Sequence, residues 1–256
     1  SSRFPEPLAK NAAEPLALRV ERTALDAERE QYRVALAGVA NGTLVNGPKG
    51  IERAVVALGE GDARLPEKGI AVRIALPRLD ADAWKGVLPA GDAGGGAPSA
   101  AALDLVSIKT PLLRLFDRDF TQVDTALRPR QGGWQISVNM HEAAGDVFWH
   151  SAGDGSLDGR LQRLVVLPAI TTVKRDIDLI NALPAMNLVV DDFAVGERRL
   201  GRLEVKARNE KGAWRMETLS LANPDGNLNA KALWRNTPRH QSRLDFELTA
   251  SDVGKL

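Results

Sequence analysis

Apolar and polar residues alternate along most of this chain. Leu16, Leu18 and Val20 alternate with polar or small residues, then Tyr32, Val34 and Leu36, then Ile70, Val72, Ile74 and Leu76. The pattern returns at Val123, Thr125 and Leu127, and at Trp134, Ile136, Val138 and Met140. It returns again at Leu203, Val205 and Ala207, with Arg202, Glu204, Lys206 and Arg208 between them, and at Leu244, Phe246 and Leu248. A period of two places each set on one face of a strand. Turn signals stand between the sets: NGT at 41, NGPKG at 46, GEGD at 59, RQGG at 130, GDG at 153 and NPDG at 223. Together they predict a mainly β protein built as an antiparallel meander.

Helical signals are few. LDADAWKGVL at 79–88 has an acidic start and sets Trp84, Val87 and Leu88 on one side, which predicts a short helix. TTVKRDIDLINAL at 171–183 spaces Val173, Ile177 and Ile180 as a helix would, with threonines as caps. The glycine-rich stretch around 91–100 reads as a flexible loop. The sequence also repeats itself: FTQVDTALRPRQGGWQI at 120–136 lies over LGRLEVKARNEKGAWRM at 200–216, an offset of 80, so that Val123 meets Leu203 and Trp134 meets Trp214. ALDLVSI at 102–108 lies over AMNLVVD at 185–191, and the strand-into-helix pattern of 74–88 returns at 245–256. Four segments follow: 1–90, a β segment ending in a short helix; 91–100, a loop; 101–170, a first repeat; and 171–256, a second repeat cut within its terminal helix. The expectation is a piece from the middle of a longer repetitive chain.

Composition narrows the function. With 34 basic and 33 acidic residues among 256, the net charge of +1 gives no basic excess with which to displace nucleic-acid counterions. No cysteine is present, which removes disulfide scaffolds and thiolate metal sites. No apolar run approaches the roughly 20 residues of a membrane-spanning helix.

No catalytic constellation stands out, and no enzyme, cofactor or metal is expected. His141, His150 and His240 lack the HE-x-x-H spacing. GDGSLDG at 153–159 fits neither a phosphate loop nor a nucleophile elbow and reads as a tight hairpin turn. Asp191 and Asp192 would point to opposite faces of a regular strand. Trp134, Trp149, Trp214 and Trp234 all fall in predicted strands, where packing explains them.

A sheet greasy on one face must bury that face. It does so against a second sheet, by closing into a barrel, or by curling into a trough that a ligand fills. The pattern alone leaves all three open. The segments GIAVRIALPRLDADAWKGVL, FTQVDTALRPRQGGWQI, GDVFWH followed by GSLDGRLQRLVV, the run from LPAMNLVVDDFAVGERRLGRLE to NAKALW over 184–234, and SRLDFELTASDVGKL resemble the AsmA-like family of Gram-negative bacteria, in a C-terminal portion.

That resemblance implies a long β-sheet curled into a U-shaped apolar groove, with a few short helices. It implies a bridge-like carrier of phospholipid acyl chains between the inner and outer membranes, located in the periplasm. An inner-membrane anchor would lie in parts of the protein outside this sequence. The inward members of the strands would form the lipid-binding lining: Val34, Leu36, Val72 and Ile74; Val123, Leu127, Trp134, Ile136, Val138 and Met140; and Leu203, Val205, Trp214, Met216, Leu244, Phe246 and Leu248. The short helix carrying Trp84 would cap the trough or pack on a strand edge. Two rival readings are a scaffold aiding assembly of outer-membrane proteins and a closed β-sandwich binding module.

Overall fold

The computed structural model describes residues 5–7, 9, 15–85, 102–166, 184–210, 213–235 and 241–251. The chain divides into two compact units, residues 1–129 and 130–256. The N-terminal unit contains strands β1 (Leu18–Ala24), β2 (Glu30–Leu36), β3 (Ala40–Gly47), β4 (Gly50–Gly59), β5 (Gly69–Ala75) and β6 (Leu79–Asp80). These are followed by α1 (Ala81–Lys85), β7 (Leu103–Leu115) and β8 (Arg118–Arg130). The C-terminal unit contains β9 (Gly133–Asn139), β10 (Ala143–His150), β11 (Ser156–Val166) and β12 (Ala185–Val195). Its last four strands are β13 (Arg198–Glu210), β14 (Ala213–Asn223), β15 (Gly226–Arg235) and β16 (Gln241–Ala250). Both units carry a curled sheet that does not close on itself. Among the described residues α1 is the sole α-helix, and none is long and apolar enough to cross a membrane.

In the N-terminal unit the strand order is β1-β2-β3-β4-β5-β7-β8, with β6 beside β7; in the C-terminal unit β9 to β16 follow in chain order. The expected antiparallel meander is interrupted. β4 pairs β5 parallel, β5 and β6 pair β7 parallel, and β11 pairs β12 parallel. Residues 60–68 show why: the chain does not reverse at GEGD but returns to the starting end of β4 before β5 begins. Its path lies over the face that carries Ala57 and Arg73. Arg73 Nη1 donates to the carbonyls of Asp62 and Arg64, both at 2.7 Å. A Cβ added at Gly61 would stand 3.2 Å from the Ala57 methyl.

Of the helix expected over 79–88, the described part is α1, which begins at Ala81 and not at Leu79. Leu79 and Asp80 join the sheet beside Leu113 and Arg114, and one helical turn follows, with Asp80 Oδ1 accepting the Ala83 N–H at 2.9 Å as its cap. Asp82 is spent elsewhere. Its two carboxylate oxygens accept the N–H groups of Phe116 at 2.9 Å and Asp117 at 2.8 Å. These two residues form the β7–β8 turn with φ of 55° and 57°, a conformation that disfavours side chains larger than glycine. Trp84 is half-buried and donates from Nε1 to the Glu6 carbonyl at 3.0 Å. The remainder of that expected helix, the loop 91–100, the helix 171–183 and the terminal helix lie outside the described residues.

The repeat is visible as paired hairpins. β8 and β13 have 13 residues each and begin at Arg118 and Arg198, and β9 and β14 begin at Gly133 and Ala213. These starts keep the offset of 80. The turn at Phe116 and Asp117 corresponds to Gly196 and Glu197, where Gly196 takes φ 58° without strain.

Candidate functional site

Cross-strand register sorts every side chain onto one of two faces. In the N-terminal unit one row runs Val20, Val34, Gly42, Val56, Val72, Val106 and Leu127. The adjacent row on the same face runs Leu18, Leu36, Ala40, Leu58, Ile74, Ile108 and Thr125. Val34, Leu36, Val72, Ile74 and Leu127 of the sequence-derived set therefore share one face. Val123 joins them opposite Thr110, and both are buried. This face is wettest at its first strand, with Leu18 62% and Val20 57% exposed, and Val56 in the fourth is still 43% exposed.

The other face of this unit has a core that periodicity did not reveal. Val45, Val55, Ala57 and Ala71 are almost wholly buried there, Ala57 and Ala71 beneath the 60–68 return. The signal was present in AVVALG at 54–59, an unbroken apolar run of the kind seen in strands covered on both sides. Val55 and Val56 are thus neighbours in sequence and opposites in environment, 1% and 43% exposed.

The C-terminal unit has a longer apolar face of three parallel rows. The central row is Ile136, Val147, Gly159, Leu188, Val205, Leu219, Ala230 and Phe246. On one side lie Val138, Gly145, Leu161, Val190, Leu203, Leu221, Leu228 and Leu248. On the other lie Trp134, Trp149, Leu157, Met186, Ala207, Met216, Ala232 and Leu244. Beyond these, Asn209, Trp214, Trp234 and Ser242 form a short fourth row. The indoles of Trp214 and Trp234 are tilted against each other with centroids 5.3 Å apart. Trp214 is 8% exposed, and its Nε1–H donates to the Pro184 carbonyl at 3.1 Å.

The structure therefore brings together Trp134, Ile136, Val138, Leu203, Val205, Trp214, Met216, Leu244, Phe246 and Leu248. Met140 lies past the end of β9, with its N–H on the Ala143 carbonyl and its own carbonyl accepting Arg163 Nη2 at 2.7 Å. Val147, Leu161 and Val190 belong to the same face and keep a regular period of two with Trp149, Gly159 and Leu188 on their own strands, a signal present in GDVFWH and AMNLVVD; the bulges lie beyond them. The register shifts at Ala144/Gly145 and between Val190 and Phe193. Side chains on the inner strands of this face pack on one another: Val190 is fully buried, against Val147, Leu161 and Leu203. On the edge strand they stand open, with Leu244 58%, Phe246 66% and Leu248 51% exposed.

The reverse face is polar. The row behind the central one reads Ser137, Asp146, Arg160, Val189, Glu204, Ser220, Asn229 and Glu247. Asp191 accepts from Arg160 Nη2 at 2.9 Å and from Arg202 Nη1 at 3.3 Å, and Arg202 Nη2 continues to Glu204 at 2.8 Å. The Asp191 carboxylate holds the exposed Arg160 guanidinium above its ordinary pKa by hydrogen bonding and then by charge. His150 pairs with Asp158 at 2.6 Å on this same face. GDGSLDG contains the β10–β11 turn, where the Trp149 ring sits so close over Gly155 that a Cβ would come within 2.3 Å of it. Among the described residues no group of three or more His, Asp or Glu side chains could hold a metal ion.

A family model described as YhdP protein matches residues 1–256. No curated protein and no solved structure matches the chain.

Proposed function

The chain belongs to the YhdP protein family, and from that premise we propose that it is a segment of a lipid-transport protein. Its apolar faces carry phospholipid acyl chains between the inner and outer membranes, and the compartment this requires is the periplasm. The observation that supports the reading most is the contrast across β4. The protein covers Val55 and Ala57 with its own polypeptide and leaves the valine row on the other side, Val56 included, uncovered. A monomeric protein rarely exposes a contiguous apolar patch of more than a few hundred Å² without a use for it.

An acyl chain lying along such a row gains roughly 0.8 kcal/mol for each methylene it takes out of water. Aliphatic residues without a charge among them give nearly uniform binding from strand to strand, so a chain is held without a deep trap. The headgroup needs no pocket, because it stays at the open side in water.

Photo-crosslinkers at Val56 and at Phe246 test this in cells. Phospholipid adducts at both positions are expected, while a crosslinker at Glu247, on the polar face of the same strand, yields none. Adducts to polypeptide alone at Val56 and Phe246 would replace the carrier with an assembly scaffold.

A further inference from the structure

The two lips of the C-terminal apolar face differ, and the difference gives a bound lipid a direction. On the polar face, Arg208, Arg215, Leu233 and Arg243 stand in one cross-strand row of β13 to β16, and Arg235 stands one pair further out. This row lies immediately inside the short row Asn209, Trp214, Trp234 and Ser242 of the apolar face. Arg208 and Arg215 are direct partners, an arrangement of like charges that costs stability by itself. Arg208 Nη2 lies 3.1 Å from Glu217 Oε1, Arg243 Nε lies 2.9 Å from Asp245 Oδ2, and Glu210 stands in the row of Arg235, so three acids stand against the four arginines and leave an excess of one positive charge. At the opposite ends of these strands Arg198 and Arg199 are balanced by Glu197 and Asp225, and Asn223, Asn227 and Thr249 are uncharged. One lip is therefore aromatic and cationic, and the other is aliphatic and neutral.

We propose that this face seats a phospholipid with its phosphate at the Trp214/Trp234 lip, beside the arginine row of Arg208, Arg215, Arg235 and Arg243, and its acyl chains on the aliphatic rows. The inference rests on the lipid-carrying reading above and adds polarity to it. Three layers of the lip match three layers of the ligand. Leu219, Leu244 and Phe246 offer surface for the tails, the last two more than half exposed. The indoles are apolar bodies with a polar edge, suited to the ester zone, and Trp214 already turns its N–H toward the strand ends at Pro184. Guanidinium groups pair with phosphate through charge-assisted, often bidentate hydrogen bonds.

The test uses the full chain and phosphatidylcholine vesicles doped with equal amounts of fluorescent phosphatidylglycerol and fluorescent diacylglycerol bearing the same tails. After re-isolation of the protein, wild type should retain phosphatidylglycerol about tenfold over diacylglycerol, the scale of one charge-assisted bond. Arg235→Gln/Arg243→Gln, both at exposed positions, should bring the ratio close to unity without lowering diacylglycerol uptake. Arg208→Gln/Arg215→Gln should act in the same direction, while Arg198→Gln/Arg199→Gln at the other lip should leave the ratio unchanged. A wild-type ratio near unity, or an unchanged ratio in the first two variants with diacylglycerol still bound, overturns the proposed polarity alone. Equal loss in all three variants would also overturn it, as a general charge effect. If the variants sediment less with phosphatidylglycerol vesicles but keep the extraction ratio, the arginines address a membrane surface instead. Failure of wild type to take up either lipid removes the carrier reading and this inference together.

Discussion

Val55 and Val56 allow folding and lipid carriage to be separated by one step along the chain. Val55 is 1% exposed on the covered face, and Val56 is 43% exposed on the uncovered one. Burying a valine completely is worth about 1.5–3 kcal/mol, so Val56→Asp forfeits roughly half of that, and its carboxylate keeps contact with water. Val55→Asp forfeits the whole amount and buries a carboxyl group on the covered face, where Arg73 is already spent on the Asp62 and Arg64 carbonyls, at several kcal/mol more. Set against a net stability of about 5–15 kcal/mol, the first variant folds and the second is at or past the limit. For a lipid tail the ranking reverses. One strand spacing of about 4.8 Å faces roughly four methylenes, so a carboxylate in the valine row removes about 3 kcal/mol of tail binding at that point. That corresponds to a fall of about a hundredfold in occupancy or passage. Urea unfolding followed by tryptophan fluorescence measures the first quantity, and mass spectrometry of lipid co-purified with the full chain measures the second. The reasoning fails if Val56→Asp unfolds as readily as Val55→Asp, or if it retains the wild-type complement of lipid.

Other sites give independent checks. Asp82→Ala should release both N–H groups of the strained β7–β8 turn, destabilise it by about 1.5–3 kcal/mol, and speed hydrogen exchange at the Phe116 and Asp117 amides. Gly201→Ala forces a side chain onto φ 94° with its Cβ close against the Ala222 carbonyl. It should cost about 2 kcal/mol or more in urea unfolding, and an unchanged midpoint would contradict the bulge geometry. Acid should loosen the β1–β2 edge. Arg22 and then Tyr32 hold the Glu30 carboxyl below its usual pKa, so this contribution is complete at neutral pH and is lost as pH falls through the lowered value. Amide protection along β1 should therefore persist down to the ordinary glutamate range near 4.3 and decline below it. Glu30→Gln should abolish that acid-dependent decline.

Alternation made the regular strands legible. Leu203, Val205 and Ala207, or Leu244, Phe246 and Leu248, could be assigned to one face without a structure, because a strand keeps a strict period of two between its bulges. Three features escaped for physical reasons. The extra residues at Gln162 in β11 and in the Asp191–Asp192 step of β12 shift the register by one, so Leu164 and Phe193 reach the apolar face out of phase with Leu161 and Val190. The parallel joins escaped because GEGD reads equally well as a hairpin turn and as the start of a return crossing; direction is set by where the chain next finds a free strand edge. The covered core around Val55, Ala57 and Ala71 escaped because alternation assigns one face to water, and here the 60–68 return covers that face. At Trp84 the acidic residues do mark a helix start, but Leu79 and Asp80 join β7, so α1 begins at Ala81.

The path of residues 60–68 has a consequence for chirality. A parallel join carries the chain back over one face of its sheet, and the handedness of L-residues makes that return right-handed in nearly all proteins. β4 and β5 run parallel and adjacent, so the rule fixes the side on which the 60–68 return crosses. The observed return passes over Ala57 and Arg73, away from the valine row. Backbone stereochemistry, before any side chain is chosen, thus decides which side of β4 and β5 this return crosses and which side it leaves clear.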